Sequence, residues 1–317
     1  MDLNKQILEA VSRIDNFARE TTFCRSEYFS RHLKGQVYFK LENQQVTGSF
    51  KVRGALNKIF SLTESEKQRG VLSASTGNHG AAVAHASREA DINCNIYVPN
   101  GSSEAKLSNI RIFGASITIF GDDCVEAEAK ARELSHLNEV SYVSPYNDVK
   151  VMAGQGTLGV EIKTQVDELD AIIISVGGGG LMAGTASYLR SVWPKIKIIG
   201  CSPENSAVMI HSMEAGKILE VESLPTLSDG TAGGVEDNSI TFPLCCDLIN
   251  ETVLLSEQEI KEAMVLYMQH EHQLIEGAAG TAVAALLKMK DQLKGKRVGV
   301  VICGGNIALD TLREVID

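Results

Sequence analysis

The sequence predicts an α/β protein in which short parallel strands are flanked by helices. From residue 71 onward, short apolar runs alternate with longer helix-like stretches. This alternation is typical of parallel sheets with helices on their faces. The length of 317 residues and an apolar content of 44% with few aromatics suit two compact lobes or one large domain.

The predicted elements can be placed in order along the chain. Residues 2–17 have the spacing of an amphipathic helix, and Val37 to Leu41 form the first strand-like run. Later apolar runs predict strands at 71–74, 94–98, 116–120, 141–143, 171–176, 196–201 and 297–302. Helix-like stretches lie near 79–90, 103–112, 123–137, 149–167, 181–192 and 257–272. The longest loop-like region, Ser223 to Pro243, is a predicted pocket wall.

Charge and composition exclude several classes of protein. A net charge of −10 argues against nucleic acid or an anionic membrane as partner. No apolar run reaches the roughly 18 residues that would span a bilayer, and the polar segment Met1 to Glu9 is not a secretory signal. The seven cysteines are odd in number and lack a C-x-x-C pair. They indicate free thiols in a reducing cytoplasm rather than a disulfide framework or a zinc site.

Lys51 is the first candidate for a chemical role. It lies in the stretch Gly48 to Ala55, after the first strand-like run, and the flat aromatic ring of Phe50 is next to it. A partly desolvated lysine near an aromatic face loses proton affinity and can condense with an aldehyde. This is how lysines hold pyridoxal phosphate. Taken alone, the stretch is more typical of a solvated lysine in the first turn of a helix.

Three further stretches each follow a strand and precede a helix. Ser73 to Gly80 offers backbone amides, hydroxyls and an Asn amide to a carboxylate, although an ordinary N-cap has the same pattern. Ser175 to Gly184 contains four consecutive glycines, whose amides can wrap a phosphate. Its spacing is neither that of the dinucleotide fingerprint nor that of the P-loop. Val301 to Asn306, taken alone, is more typical of a turn than of a site.

Together and in this order, the four stretches resemble the fold-type II pyridoxal phosphate-dependent enzymes. Within that family they are most similar to the serine/threonine dehydratase (threonine ammonia-lyase) and serine racemase group, from about Ile14 to the C-terminus. The resemblance implies a two-domain fold like that of tryptophan synthase β, with parallel-rich twisted sheets. Residues 1–69 and 148–317 would form a large cofactor-binding domain, and residues 70–147 a small mobile domain. Because the chain ends at Asp317, no C-terminal regulatory domain is expected.

The resemblance also implies roles for individual residues. Lys51 is expected to hold the cofactor covalently and to move protons on one face of it, with Thr76 on the opposite face. Phe50 is expected to pack on the pyridine ring, Asn78 to bind its 3′-hydroxyl, and Cys303 to face its nitrogen. The phosphate is expected at the loop of Gly177, Gly178, Gly179, Gly180 and Leu181. The substrate carboxylate is expected at the loop of Ser75, Thr76, Gly77, Asn78 and His79.

Three positions carry further consequences of this resemblance. A thiol at Cys303 is a weak hydrogen-bonding partner, so the ring nitrogen should stay unprotonated, which favours loss of a β-leaving group over transamination. Serine racemases carry two carboxylates near the position of Cys201 to Met209, whereas here only Glu204 is acidic. One carboxylate is a poor cage for a hard cation, so no metal ligand is predicted. Glu276 either lies near the cofactor or caps a helix.

The predicted reaction is dehydration and deamination of L-threonine or L-serine to a 2-oxo acid and ammonia. One alternative is an amino-acid racemase, but racemases carry a serine where Thr76 lies, and its methyl group restricts the hydroxyl. Another is a dehydratase of a larger 3-hydroxy amino acid, such as an aryl-serine or a hydroxyectoine-type compound. The third alternative is a nicotinamide-dependent or purely ligand-binding α/β protein. We expect a cytoplasmic homodimer or higher homo-oligomer.

Overall fold

The chain folds around two sheets. The computed structural model describes residues 2–317, apart from the side chains of residues 105 and 106. The strands are β1 (Phe23–Ser26), β2 (Gln36–Leu41), β3 (Val71–Ala74), β4 (Cys94–Val98), β5 (Ser116–Ile119), β6 (Ser141–Tyr142), β7 (Ala171–Ser175), β8 (Lys197–Pro203), β9 (Glu251–Leu255) and β10 (Arg297–Ile302). Within the described residues, the large sheet has the order β1-β2-β10-β7-β8-β9 and the small sheet the order β5-β4-β3-β6.

Helices connect most of these strands. They are α1 (Leu3–Ile14), α2 (Glu27–Leu33), α3 (Lys51–Phe60), α4 (Glu64–Arg69), α5 (Asn78–Glu89), α6 (Glu104–Ile112), α7 (Cys124–Leu137), α8 (Val149–Gln165), α9 (Gly180–Val192), α10 (Val208–Ala215), α11 (Thr241–Leu248), α12 (Glu257–Glu271), α13 (Gly277–Lys288) and α14 (Leu309–Ile316). Among the described residues, every strand pair is parallel except β1 with β2. The fold is therefore the mixed α/β arrangement that the sequence predicted.

Parallel pairing brings the predicted motif segments to the same edge of each sheet. In the large sheet, β2, β10 and β7 end at Leu41, Ile302 and Ser175. The stretches that contain Lys51, Cys303 and the four consecutive glycines follow these three strand ends. In the small sheet, β3 ends at Ala74, directly before the predicted carboxylate-binding loop. The carboxyl-end edge of a parallel sheet is where α/β proteins bind their ligands.

The core of the large sheet is built from small and branched apolar residues. All five residues of β7 are buried, which requires cover on both faces of the strand. One cover is α13, an alanine-rich helix that packs on β7, β8 and β10. Each Å² of apolar surface removed from water contributes roughly 25 cal/mol, so the burial of these side chains is the main favourable contribution to the folding free energy.

Four charged residues form a buried charge cluster between β2, α3 and α8: Lys40, Glu42, Arg53 and Glu161. The Arg53 guanidinium lies 2.8 Å from a Glu42 oxygen and 2.5 Å from a Glu161 oxygen. The Lys40 Nζ lies 2.5 Å from another Glu161 oxygen. Two positive and two negative charges balance, so the cluster can be buried as a unit. It fixes α3, the helix that begins with Lys51, against the large sheet.

The predicted strands and helices are present, with ends that differ by no more than three residues. The first helix ends at Ile14 because Asn16 adopts a left-handed conformation with φ of 68°. The edge strands β1 and β9 were not predicted. In β1 only Phe23 and Ser26 of its four residues are buried, so the run is too short and too polar to show a strand period.

Candidate active site

Lys51 lies at the start of α3, next to the carboxyl-end edge of the large sheet. The segment before it is anchored, because the Phe50 amide donates to the Cys303 carbonyl oxygen at 3.0 Å. The Lys51 Nζ donates to the Pro145 carbonyl oxygen at 3.0 Å and lies 5.2 Å from the centre of the Phe50 ring. Burial lowers the pKa of Lys51 from 10.5 to about 8, against the opposing effect of Cys303 and Glu276. Part of this amine is therefore neutral and nucleophilic near pH 8.

The predicted phosphate-binding residues, Gly177–Leu181, lie where β7 connects to α9. Gly179 has a φ of 84°, which residues with side chains rarely adopt. A Cβ atom at Gly178 would lie 2.4 Å from the ring of Tyr146, so this close approach requires glycine. Helix α9 begins at Gly180 with no side-chain cap among the described residues, which leaves its first amides free. Free amides at a helix N-terminus suit a phosphate.

The predicted carboxylate-binding residues, Ser75–His79, join β3 to α5. Gly77 is the N-cap of α5 and provides no side-chain cap, although its own amide donates to Ser75 Oγ at 3.2 Å and the Ser75 amide donates to the Tyr97 carbonyl oxygen at 3.2 Å. The amides of Thr76, Asn78 and His79 remain for an anion. The His79 imidazole is buried, and its Nε2 lies 2.9 Å from the Val143 carbonyl oxygen. Burial, helped by the charge of Lys51, lowers the pKa of His79 to about 3, so the neutral ring donates this bond. The His79 side chain anchors the loop, and any contact with a substrate would fall to its backbone amide.

Asn78, Glu276 and Asn306 form a hydrogen-bonded network across three segments. The Asn78 Nδ2 donates to both Glu276 carboxylate oxygens, at 3.0 and 2.9 Å. The backbone amide of Asn306 donates to Glu276 Oε2 at 3.2 Å. Burial raises the pKa of Glu276 to about 7, against the opposing hydrogen bond from Asn78. Glu276 occupies the N-cap position of α13 without capping it, because its carboxylate binds Asn78 instead.

Cys303 follows β10 directly and is buried. Burial raises the pKa of its thiol well above 9.0, and the neighbouring Glu276 adds to the rise. The thiol therefore stays protonated, and a protonated thiol is a weak hydrogen-bonding group.

The structure adds site residues that the sequence did not single out. Pro145, which accepts from Lys51, and Tyr146, which packs on the glycine loop, both follow the two-residue strand β6. The Tyr146 hydroxyl accepts from the Glu236 amide at 2.9 Å and so joins the glycine loop to the predicted pocket wall. The sequence could have indicated Pro145 by its position alone, because it closely follows the end of a strand, as the four motif stretches do.

Glu204, the one acidic residue of its stretch, is exposed in a short turn after β8. Within residues 2–317, no group of three or more His, Cys, Asp or Glu side chains is arranged to hold a metal ion. The helices of the described part of the chain are also too short or too polar to cross a membrane.

Comparison with known proteins identifies the family. The family model for pyridoxal-phosphate dependent enzymes matches residues 14–304. An L-threonine ammonia-lyase of Thermotoga maritima is 37% identical over 313 residues, which cover 99% of this chain and 78% of that protein. A serine racemase of Dictyostelium discoideum is 36% identical over 317 residues, covering 99% of this chain and 97% of that protein. Threonine deaminase isoform 2 from Solanum lycopersicum has a similar structure, with a TM-score of 0.93, 30% identity and coverage of 99% of this chain and 92% of that one. The chain belongs to the fold-type II family of pyridoxal phosphate-dependent enzymes.

Pyridoxal phosphate is the cofactor of this family, and the residues present fit it. The free amides before α9 suit its phosphate, and the Lys51 amine suits its aldehyde. Two buried hydroxyl oxygens, Thr47 Oγ1 and Ser49 Oγ, have no hydrogen-bond partner among the described residues. Buried hydroxyls are normally hydrogen-bonded, so these two leave donors available beside the lysine segment.

Proposed function

We propose that this protein catalyses the pyridoxal phosphate-dependent dehydration and deamination of L-threonine or L-serine to a 2-oxo acid and ammonia. The observation that carries the proposal is the Lys51 amine, which has a pKa lowered to about 8 and donates to a backbone carbonyl rather than to a carboxylate. Such an amine can hold an aldehyde and can act as a base near neutral pH. Similarity to proteins named L-threonine ammonia-lyase and threonine deaminase supports the substrate class.

In this proposal, binding is divided among four segments. The cofactor, when bound, supplies an electron-withdrawing ring that makes the Cα proton of the substrate acidic. The amides of Gly177–Leu181 hold the phosphate, Phe50 packs on the ring, and Asn78 binds the 3′-hydroxyl. The Ser75–His79 loop holds the substrate carboxylate through the amides of Thr76, Asn78 and His79 and thereby orients the Cα–H bond toward the Lys51 Nζ.

Lys51 and Cys303 favour elimination. The Lys51 Nζ takes the Cα proton, and the β-hydroxyl leaves with a proton as water. The released enamine tautomerises, takes up one water and gives the 2-oxo acid and ammonia, so the overall reaction needs no oxidant. The protonated thiol of Cys303 is too weak an acid to protonate the ring nitrogen, which favours prompt loss of the hydroxyl over return of the proton.

Serine racemase activity is the second candidate, and Thr76 is the residue that bears on it. Thr76 is partly exposed in the Ser75–His79 loop, and its hydroxyl could deliver a proton on the face opposite Lys51. Similarity to a protein named serine racemase keeps this candidate open. A positioned proton donor contributes on the order of 10²–10⁴-fold to a rate.

Substitution of Thr76 separates the two candidates. D-serine and pyruvate are measured in the same reaction mixture with L-serine, for the wild type, Thr76→Ser, Thr76→Ala and the isosteric Thr76→Val. We expect Thr76→Ser to raise racemisation relative to elimination, because its hydroxyl loses the β-branched restraint. We expect Thr76→Val and Thr76→Ala to abolish racemisation and to keep pyruvate formation within about tenfold. A wild type that makes more D-serine than pyruvate would contradict the dehydratase assignment.

The proposed assembly is a homo-oligomer, and the proposed location is the cytoplasm. None of the seven cysteines forms a disulfide in the described part of the chain, which supports a reducing compartment. We also propose that residues 70–147 move as a unit against residues 1–69 and 148–317. The contact of Asn78 with Glu276 would be one of those that form on closure.

A further inference from the structure

Asn306 joins three of the four motif segments. Its Nδ2 donates to the Thr47 carbonyl oxygen at 2.8 Å and to Asn78 Oδ1 at 2.7 Å. Next to it, the Gly305 amide donates to the Gly48 carbonyl oxygen at 2.9 Å. The loop after β10 is therefore bound both to the segment before α3 and to the start of α5.

These two acceptors determine how the Asn306 carboxamide is oriented. A backbone carbonyl only accepts, so the NH₂ group of Asn306 must face Thr47. The same NH₂ group supplies its other hydrogen to Asn78, so Asn78 must turn its oxygen toward Asn306. The NH₂ group of Asn78 then faces the opposite way, toward the Glu276 carboxylate oxygens at 3.0 and 2.9 Å. The two oxygens of one carboxylate are close enough to share a single hydrogen, so the second N–H of Asn78 is available to another acceptor. The Thr47 carbonyl, acting through Asn306, and the Glu276 carboxylate therefore orient the Asn78 carboxamide in the same direction.

Packing holds the Asn306 carboxamide in place. A Cβ atom at Gly48 would lie 2.4 Å from Asn306 Oδ1, so the side-chain carboxamide of Asn306 lies directly against the backbone of Gly48. Gly48 has a φ of 73°, a conformation that favours glycine. The other side of Asn306 is exposed to solvent, so truncation of this side chain leaves no buried cavity.

We propose that Asn306 is a positioning residue, which fixes the Asn78 carboxamide so that its N–H and not its oxygen is presented to the 3′-oxygen of the cofactor. This inference rests on the proposed function, in which Asn78 binds that oxygen. The two ends of a carboxamide are almost identical in shape, so only its hydrogen-bond partners distinguish them. A hydrogen bond donated to an ionised oxygen favours the ionised form. Asn306 therefore acts on the ionisation of the cofactor without touching it.

A double-mutant cycle on the holoenzyme tests this role. The variants are Asn306→Ala, Asn78→Ala and the double variant, and the readout is the pH midpoint of the visible absorbance change of the bound cofactor. We expect Asn306→Ala to raise the midpoint by about 0.5–1 pH unit, which is the size of a partly lost hydrogen bond. In the Asn78→Ala background, the same substitution should move the midpoint by less than about 0.2 unit, because Asn306 acts through Asn78.

Asn43 provides a matched control. Its Nδ2 also donates to a side-chain and a backbone oxygen, Gln273 Oε1 at 3.0 Å and Leu274 O at 3.2 Å. Because both acceptors lie between α12 and α13 and neither is Asn78, Asn43→Ala should leave the pH midpoint of the cofactor absorbance unchanged. Equal shifts on Asn306→Ala in both backgrounds, or an equal shift on Asn43→Ala, would overturn the inference.

Failure of this inference can be distinguished from failure of the proposed function. If borohydride labels Lys51 in the wild type while Asn306→Ala leaves the midpoint unchanged, the inference is wrong and the proposed function stands. If borohydride labels no lysine at this site, both are wrong.

Discussion

Lys40 in β2 and Lys51 at the start of α3 are two lysines in neighbouring segments, and they differ in how their charge is compensated. The Lys40 Nζ donates to the Thr21 carbonyl oxygen at 2.6 Å, to Glu161 Oε2 at 2.5 Å and to Gln165 Oε1 at 3.1 Å. These three bonds use all three of its hydrogens.

Lys51 has far fewer partners. Within residues 2–317, its Nζ has one hydrogen bond, to the Pro145 carbonyl oxygen at 3.0 Å, and no ion pair. Burial lowers the pKa of both lysines, but at Lys40 a contacting Glu161 carboxylate opposes the shift. Burial alone therefore does not make a lysine reactive in this protein. A reactive lysine also has to lack a contacting anion, and that condition separates Lys51 from Lys40.

The largest expected effect is that of Lys51→Ala on activity. In the proposed function, the variant loses both the amine that binds the cofactor aldehyde and the base that takes the Cα proton. We expect the rate of 2-oxo acid formation to fall by at least about 10³-fold. Steady-state production of 2-oxo acid from L-threonine, measured at saturating cofactor, checks this. A variant within tenfold of the wild type would show that another group is the base.

Lys40→Met should instead reduce stability. Removing Lys40 leaves Glu161 with an incompletely balanced buried charge, which typically costs about 3 kcal/mol of unfolding free energy. The matched control is Lys58→Met, because Lys58 pairs with Asp148 at 2.7 Å where both side chains are about one-fifth exposed. The control should cost less than about 1 kcal/mol. Denaturant unfolding measures both, and equal losses would show that the buried ion pair of Lys40 contributes no more to stability than the partly exposed pair of Lys58.

The apoprotein should respond to Lys51→Met in the opposite direction. The pKa of Lys51 falls from 10.5 to about 8 on folding, so keeping the amine charged below pH 8 disfavours the folded state. The neutral variant should be more stable than the wild-type apoprotein by up to about 3 kcal/mol at pH 7. Between pH 8 and 10.5 only the folded wild type has lost its proton, so the difference should fade across this window. Unfolding curves of the two apoproteins at pH 7 and pH 10.5 test it. A difference that does not change with pH would contradict the lowered pKa.

The smallest expected effect is that of Cys303→Ser. A serine hydroxyl is also neutral at this position, so the holoenzyme should keep its cofactor and its activity within about tenfold. Cys303→Asp should protonate the ring nitrogen and slow elimination relative to proton return. The ratio of pyruvate to D-serine measures this, and an unchanged ratio in the aspartate variant would show that the thiol does not determine the outcome.

Sequence reasoning located segments that lie next to strand ends and missed contacts between distant segments. The lysine, glycine and cysteine stretches could be found because each directly follows or closely follows a strand of a parallel sheet. The bond between Asn306 and Asn78 joins residues 228 positions apart, and no local pattern reports it. His79 was expected in the loop that binds the substrate carboxylate, but the sequence does not show that its side chain contacts Val143, because this contact depends on how the small sheet packs. No local pattern distinguishes Lys40 from an ordinary strand charge, because its partners on α8 lie more than a hundred residues away.

The central claim is that Lys51, and not Lys40, holds the cofactor. It is tested most directly by reducing the wild-type holoenzyme with borohydride, digesting it with a protease and mapping the pyridoxyl label by mass spectrometry. The account predicts that the label lies on the peptide containing Lys51 and that Lys51→Ala removes it, while Lys40→Met retains it. A label found mainly on Lys40 or Lys58 would contradict the account.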